Sequence, residues 1–203
     1  MPNKKTNHTG LPQSPPRFGL DTNAQESIRK HFFPNSPDES QIARFFEVLG
    51  RAITVWQLVE AALYEVYERA VAPMRPGACG ASFHAIQTFN LKLSVTDAAV
   101  RFSLVDREKL RSEWKTLFKN AQDKSKRRNE FAHFSTFIMF NEKHTNDKIR
   151  LEPPMYDWRF IGERPKVRLS EITEITKRFI DLANDLQRFK GKIPHANQLD
   201  KGA

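Results

Sequence analysis

The stretch Lys124-Ser125-Lys126-Arg127-Arg128-Asn129-Glu130-Phe131-Ala132-His133-Phe134 sets four cations, an amide and an imidazole at the end of an amphipathic run. Residues four apart on an α-helix share a face, and residues five apart lie about 140° apart. On a continuous helix Asn129 and His133 are therefore stacked neighbours, and the amide is placed to hold the imidazole in one tautomer. Arg128 follows another phase, that of Leu110, Trp114, Leu117 and Ala121. It faces a packing seam while His133 faces a flank. One subunit would struggle to converge both groups on one phosphate. Two subunits related by a two-fold axis present each group twice across the seam.

The helix entering this stretch is expected over 107 to about 123, capped by Asp106, and either runs on into the basic residues or breaks near Asp123–Ser125. Upstream, a long helix is expected to start near Ser36–Ser40, with Ser36 or Asp38 as its cap. It runs through Ile42, Phe45, Leu49, Ile53, Trp56, Leu63 and Tyr67 to about Val71, where Pro73 and Pro76 end it. Gly50 weakens it by about 1 kcal/mol relative to alanine. Residues 73–81 read as a loop. Residues 82–105 read as a second helical stretch, kinked or split at Ser94-Val95-Thr96-Asp97, with Thr96 or Asp97 capping its second half.

Glu60 breaks the pattern of the long helix. It falls on the face of Trp56, Leu63, Tyr64 and Tyr67, where a carboxylate is costly unless paired. Arg128, also on an apolar phase, is the expected partner, either as a structural ion pair or in support of a site. Lys124, Lys126 and Arg127 read as a solvated face or as phosphate contacts. After His133 the period changes. Phe134 to Phe140 and Ile149 to Leu151 read as two strands of a hairpin joined by a polar segment, stopped by Pro153-Pro154. Residues 155–168 are an irregular excursion bearing Tyr156, Trp158, Arg159 and Phe160, a pocket rim or a cover over the bundle. The last helix begins at Leu169-Ser170 and carries Ile172, Ile175, Phe179, Leu182, Leu186 and Phe189 in heptad-like spacing to about Lys190. The expected organisation is a disordered Pro-rich N-terminal tail over 1–37, one helical domain over 38–190 with an insertion at 134–168, and a polar tail over 191–203.

A formal net charge of +9 favours polyanionic partners, of which nucleic acid is the commonest. The single cysteine, Cys79, excludes an intramolecular disulfide and a cysteine zinc cluster. The first twenty residues contain no apolar core of a secretory signal, and no run approaches the length of a membrane span. A cytoplasmic protein without a membrane partner is the expectation. The chain also lacks Gly-x4-Gly-Lys, Gly-x-Gly-x-x-Gly, His-Glu-x-x-His and Gly-x-Ser-x-Gly, which argues against a small-molecule enzyme of the classes those motifs serve.

Arg128-Asn129, three residues and then His133 resemble the Arg-polar-x3-His motif of HEPN domains, which are small, α-helical, usually dimeric, and in many cases metal-independent ribonucleases. Glu130-Phe131-Ala132 fits the family's habit of a small or apolar residue just before the histidine. The resemblance spans roughly residues 38–190, and the element order agrees with it. It implies a mainly α, HEPN-like bundle of about four to five helices; the small β-hairpin and loop read over 134–168, before the last helix, depart from the family pattern as an insertion that covers the site or replaces its function. It also implies an endoribonuclease needing no metal or cofactor, acting as a homodimer on RNA, as a toxin or a defence or stress effector with an antitoxin-like protein partner. His133 would be general base or acid, Arg128 would stabilise charge on the phosphoryl oxygens, Asn129 would orient His133, and Glu60 would position Arg128. The alternatives are a catalytically silent HEPN-like module binding RNA, a nucleotide or a protein, and a helical dimerisation scaffold whose basic charge is incidental.

Overall fold

A computed structural model describes residues 27, 31, 37–72, 75–138, 148–160, 162 and 164–194. Most of the expected N-terminal tail, residues 141–147 of the hairpin connection and the chain beyond 194 lie outside the described residues. What is described is mainly helical: α1 (Glu39–Val71), α2 (Pro76–Ala85), α3 (Phe89–Ser103), α4 (Glu108–His133) and α5 (Leu169–Lys192), with three short strands, β1 (Ser135–Ile138), β2 (Ile149–Glu152) and β3 (Val167–Arg168). Among the described residues no helix is long and apolar enough to cross a membrane.

α1 starts where a full capping box forms. The Asp38 carboxylate accepts from the Gln41 amide at 2.8 Å, and the Gln41 side chain accepts from the Asp38 amide at 3.2 Å, so two otherwise unpaired donors are satisfied. Its 33 residues span about 50 Å. Phe45, Ala52, Trp56, Val59, Leu63 and Val66 form the inward stripe, each essentially inaccessible. The helix ends at Ala72, which adopts the left-handed conformation.

The segment read as a loop is in part a helix. α2 begins with Pro76 at its first turn, a position where the missing N–H costs nothing. Gly80 lets α2 lie close to α1, since a Cβ there would stand 3.0 Å from the Tyr64 hydroxyl. The second helical stretch divides at Ile86–Thr88, not at Ser94–Asp97, and the Thr88 hydroxyl caps α3. The polar residues suspected of breaking α3 are absorbed within it. Ser94 Oγ donates to the Asn90 carbonyl at 2.9 Å and Thr96 Oγ1 to the Lys92 carbonyl at 2.8 Å. Asp97 accepts from Trp114 Nε1 at 2.9 Å, tying α3 to α4. At the start of α4 the capping position is Arg107, without a side-chain cap, in place of Asp106.

Side-chain contacts fix the helix directions. Trp56 meets Phe89 at 4.7 Å and Phe179 at 4.9 Å, and Arg69 Nε donates to the Ile193 carbonyl at 2.9 Å. Glu60 meets Lys92 about one turn beyond the Trp56–Phe89 contact, so α1, α3 and α5 run the same way. α4 runs against them, since Trp114 stacks on Phe189 at 5.4 Å while Arg127 reaches Glu171. Trp56, Trp114, Phe45, Phe83, Phe179 and Phe189 are the largest fully buried side chains of the core, and the half-buried Phe89 packs against them. The last helix reaches Lys192, and Ile193 behind it is only 1% exposed, so the core extends three residues into the segment expected as a tail.

The hairpin forms as expected, β1 antiparallel to β2, with Thr136 opposite Leu151 and Phe137 opposite Arg150. The excursion adds a third strand that the sequence pattern does not announce. β3 pairs on the other side of β2, with Leu151 opposite Val167, giving a sheet of order β1-β2-β3. Ile149 and Leu151 join the core, and Arg150 and Glu152 share the other face, where the Arg150 Nε donates to Glu152 at 2.5 Å.

Candidate functional site

α4 is continuous from Glu108 to His133, about 39 Å, so the motif sits at the tip of an unbroken rod. Ser125, at the suspected break, is buried and held in the helix, its hydroxyl donating to the Gln122 carbonyl at 2.8 Å and facing Asn90 of α3 at 3.4 Å. The helix closes at Phe134, whose amide donates to the Glu130 carbonyl at 2.8 Å before the chain turns extended. The inward stripe runs Trp114, Leu117, Ala121, Ser125 and Phe131. Arg128 lies at the edge of that stripe, half-buried, as its phase predicts.

The guanidinium of Arg128 is incompletely satisfied. Its Nη1 donates to Asn129 Oδ1 at 3.3 Å, and its buried Nε has no hydrogen-bond partner. Among the described residues no carboxylate pairs with it. Asn129 and His133 are both exposed on the same face of the helix, but the Asn129 oxygen serves Arg128, and no hydrogen bond joins it to His133. The expected orientation of the imidazole by Asn129 is therefore absent from this conformation.

Glu60 corrects the expected pairing with Arg128. Its two oxygens take Lys92 Nζ at 2.8 Å and Trp56 Nε1 at 3.1 Å. Lys92 also lies 5.8 Å over the Phe83 ring. The partner was legible in principle, since Lys92 falls three residues after Phe89 and beside Leu93, on the apolar seam of α3.

Much of the cationic cluster is spent within the chain. Arg127 is ion-paired to Glu130, one turn on, and lies 3.4 Å from Glu171 at the start of α5. Burial, aided by the like charge of Glu171 and opposed by Arg127, pushes the Glu130 carboxyl above its ordinary range. Lys126 pairs with Asp123 at 3.0 Å with both side chains in water, an interaction worth little. Lys124 hydrogen-bonds Asn120 and lines a cleft of about 400 Å³ between α4 and α5 with Arg127, Glu171 and Arg178. Burial, with the Arg178 charge beside it, holds the Lys124 ammonium below its ordinary value. Cations and carboxylates alternate in this cleft, so it does not form a one-sign trough for a phosphate backbone. Among the described residues no group of three or more His, Cys, Asp or Glu side chains is placed to hold a metal ion.

Among the described residues, then, the tip of α4 holds a guanidinium with no paired carboxylate and an exposed imidazole five residues on. The hairpin follows immediately, and Phe134 meets Phe160 of the excursion edge-on at 5.9 Å. No protein-family model, no curated protein and no solved structure matches this chain.

Proposed function

We propose that the chain is a metal-independent endoribonuclease of HEPN type, with a site completed across a homodimer by Arg128 and His133 of each copy. The observation that carries this reading is the state of Arg128. It is half-buried, its Nε is unpartnered, and Glu60, the expected counter-charge, is engaged by Lys92. An arginine kept without a carboxylate is suited to an incoming phosphate, which its planar fork contacts in bidentate fashion.

In the proposed reaction the ribose 2′-oxygen attacks the adjacent phosphorus. His133 of one copy takes the 2′ proton as the new P–O bond forms. The P–O5′ bond breaks, and the departing 5′-oxygen receives a proton from the imidazolium of the other copy. The products are a 2′,3′-cyclic phosphate and a 5′-hydroxyl. Arg128 stabilises the charge gathered on the non-bridging oxygens. A toxin or defence role and an antitoxin-like partner belong to the same reading.

A second reading, a silent HEPN-like module that binds RNA, a nucleotide or a protein, is favoured by one contact. Asn129 hydrogen-bonds Arg128 and leaves His133 without an orienting group. The experiment is cleavage of a structured RNA in EDTA by wild type, His133→Ala and Arg128→Ala, with the product ends analysed. Wild-type-only cleavage ending in 2′,3′-cyclic phosphate supports the enzyme. Equal cleavage by all three removes the site assignment, and RNA binding without cleavage selects the silent module.

A further inference from the structure

The excursion between β2 and β3 presents Tyr156 at 89% and Trp158 at 77% exposure, beside Met155 at 80%. Large rings left in water lose the roughly 25 cal/mol per Å² that burial would give, so a cluster of them points to a ligand. The turn that carries them is firmly built. The Asp157 amide donates to the Pro154 carbonyl at 3.0 Å and the Phe160 amide to the Asp157 carbonyl at 3.2 Å. Arg159 donates to the Asp157 carboxylate through Nε at 2.9 Å and Nη2 at 2.6 Å, and its guanidinium lies 5.7 Å over the Phe160 ring. Phe160 in turn rests on Phe134, the residue that follows His133. The two exposed rings are thereby tethered to the end of α4 that carries the motif.

Charge decides what ligand suits this surface. Between Pro153 and Arg168 the sequence carries Arg159, Arg164, Lys166 and Arg168 against Asp157 and Glu163. Lys166 and Arg168 are exposed. Aromatic faces set among cations, on a chain of net charge +9, complement a polyanion that itself bears aromatic faces. Unpaired nucleobases stack on such rings, and the backbone is drawn by the cations. A partner helix would instead require a groove, and all three side chains stand more than three-quarters exposed.

We propose that Tyr156 and Trp158 form a base-stacking platform for single-stranded RNA beside His133. The inference rests on the ribonuclease reading for the identity of the strand, and it makes unpaired nucleotides, not duplex, the substrate of that site.

The test uses the full chain carrying His133→Ala, so that RNA is bound and not cut. Fluorescence anisotropy compares a uridine RNA of about 12 nucleotides with an abasic backbone of the same length. The platform requires tighter binding of the base-bearing strand. Tyr156→Ala/Trp158→Ala in that background weakens it by roughly tenfold or more and brings the two strands level, while Trp158→Phe keeps most of the affinity. Equal affinity with and without the rings overturns the platform. So does an absence of RNA binding, or a change of oligomeric state on removing the rings, which would make the face a contact between copies. Cleavage that depends on His133, with affinity indifferent to the rings, sinks the platform and leaves the ribonuclease. Ring-dependent binding by a wild type that cuts nothing does the reverse.

Discussion

Glu60 Oε2 lies 2.8 Å from Lys92 Nζ, with a fifth of the glutamate side chain and an eighth of the lysine exposed. The pair joins α1 to α3 and relieves Arg128 of a neutralising role. Breaking such a pair from one side strands a charge. Lys92→Met is expected to lower stability by about 2 kcal/mol, below the cost for a fully buried pair because Glu60 keeps the Trp56 N–H and some water. Glu60→Gln/Lys92→Met, which removes both charges and keeps an acceptor for Trp56, should recover most of the loss. Urea denaturation of the three variants measures this, and a double variant as weak as Lys92→Met would refute the pairing argument.

Arg128 is expected to show stability and activity moving in opposite directions. A buried donor without a partner costs about 1–3 kcal/mol, so Arg128→Met, of similar length and without the donor, should raise stability by about 1 kcal/mol. The same change should abolish cleavage. Thermal unfolding beside the EDTA cleavage assay checks both. A loss of several kcal/mol would mean that the guanidinium serves the fold.

Two helical glycines should respond with opposite signs. A Cβ at Gly50 meets nothing within 4 Å, so Gly50→Ala should stabilise α1 by about 1 kcal/mol. At Gly80 the added carbon presses on the Tyr64 hydroxyl at 3.0 Å, and Gly80→Ala should destabilise. The melting temperatures of the two variants decide it, and Tyr64→Phe in the Gly80→Ala background should return part of the loss.

The Tyr64 hydroxyl donates to Glu68 at 2.8 Å, and that bond, with burial and the Glu68 charge, pushes the phenol up to about 12. A group whose folded value is raised stabilises the fold below its unfolded value and loses that contribution as pH rises to the folded one. The contribution of Tyr64 should thus be complete below pH 10 and fade between about 10 and 12. Ultraviolet titration should show a phenol step near 12 that disappears in Tyr64→Phe and falls toward 10 in Glu68→Gln. An unchanged step in Glu68→Gln would assign the shift to burial.

The parts of the fold legible in the sequence are those where period and punctuation agree. α5 has an unbroken heptad-like stripe and Pro194 beyond it, and α1 has Asp38 with Gln41 in capping spacing. The misreadings come from residues with two uses. Pro76 reads as a breaker, yet proline fits a first turn. Thr96 or Asp97 reads as a cap, yet Thr96 bonds back to its own helix and Asp97 serves Trp114. β3 is only two residues long and has no period to read. At the candidate site the half-buried phase of Arg128 was legible from spacing alone. The partners of Glu60 and Arg127 were not, because they depend on which helices become neighbours.

The alternation within β2 has a consequence for how the chain is aligned. Ile149 and Leu151 enter the core, and the Arg150–Glu152 pair lies on the opposite face. A slip of one residue against β1 or β3 would exchange the two sets and drive an ion pair into hydrocarbon. β2 therefore works as a key that admits a single register. That register pairs Leu151 with Val167 and so sets where the excursion leaves and re-enters the sheet, and hence where Phe160 lands on Phe134. Four residues of sheet act as the gauge that sets the distance between the aromatic turn and the last turn of α4.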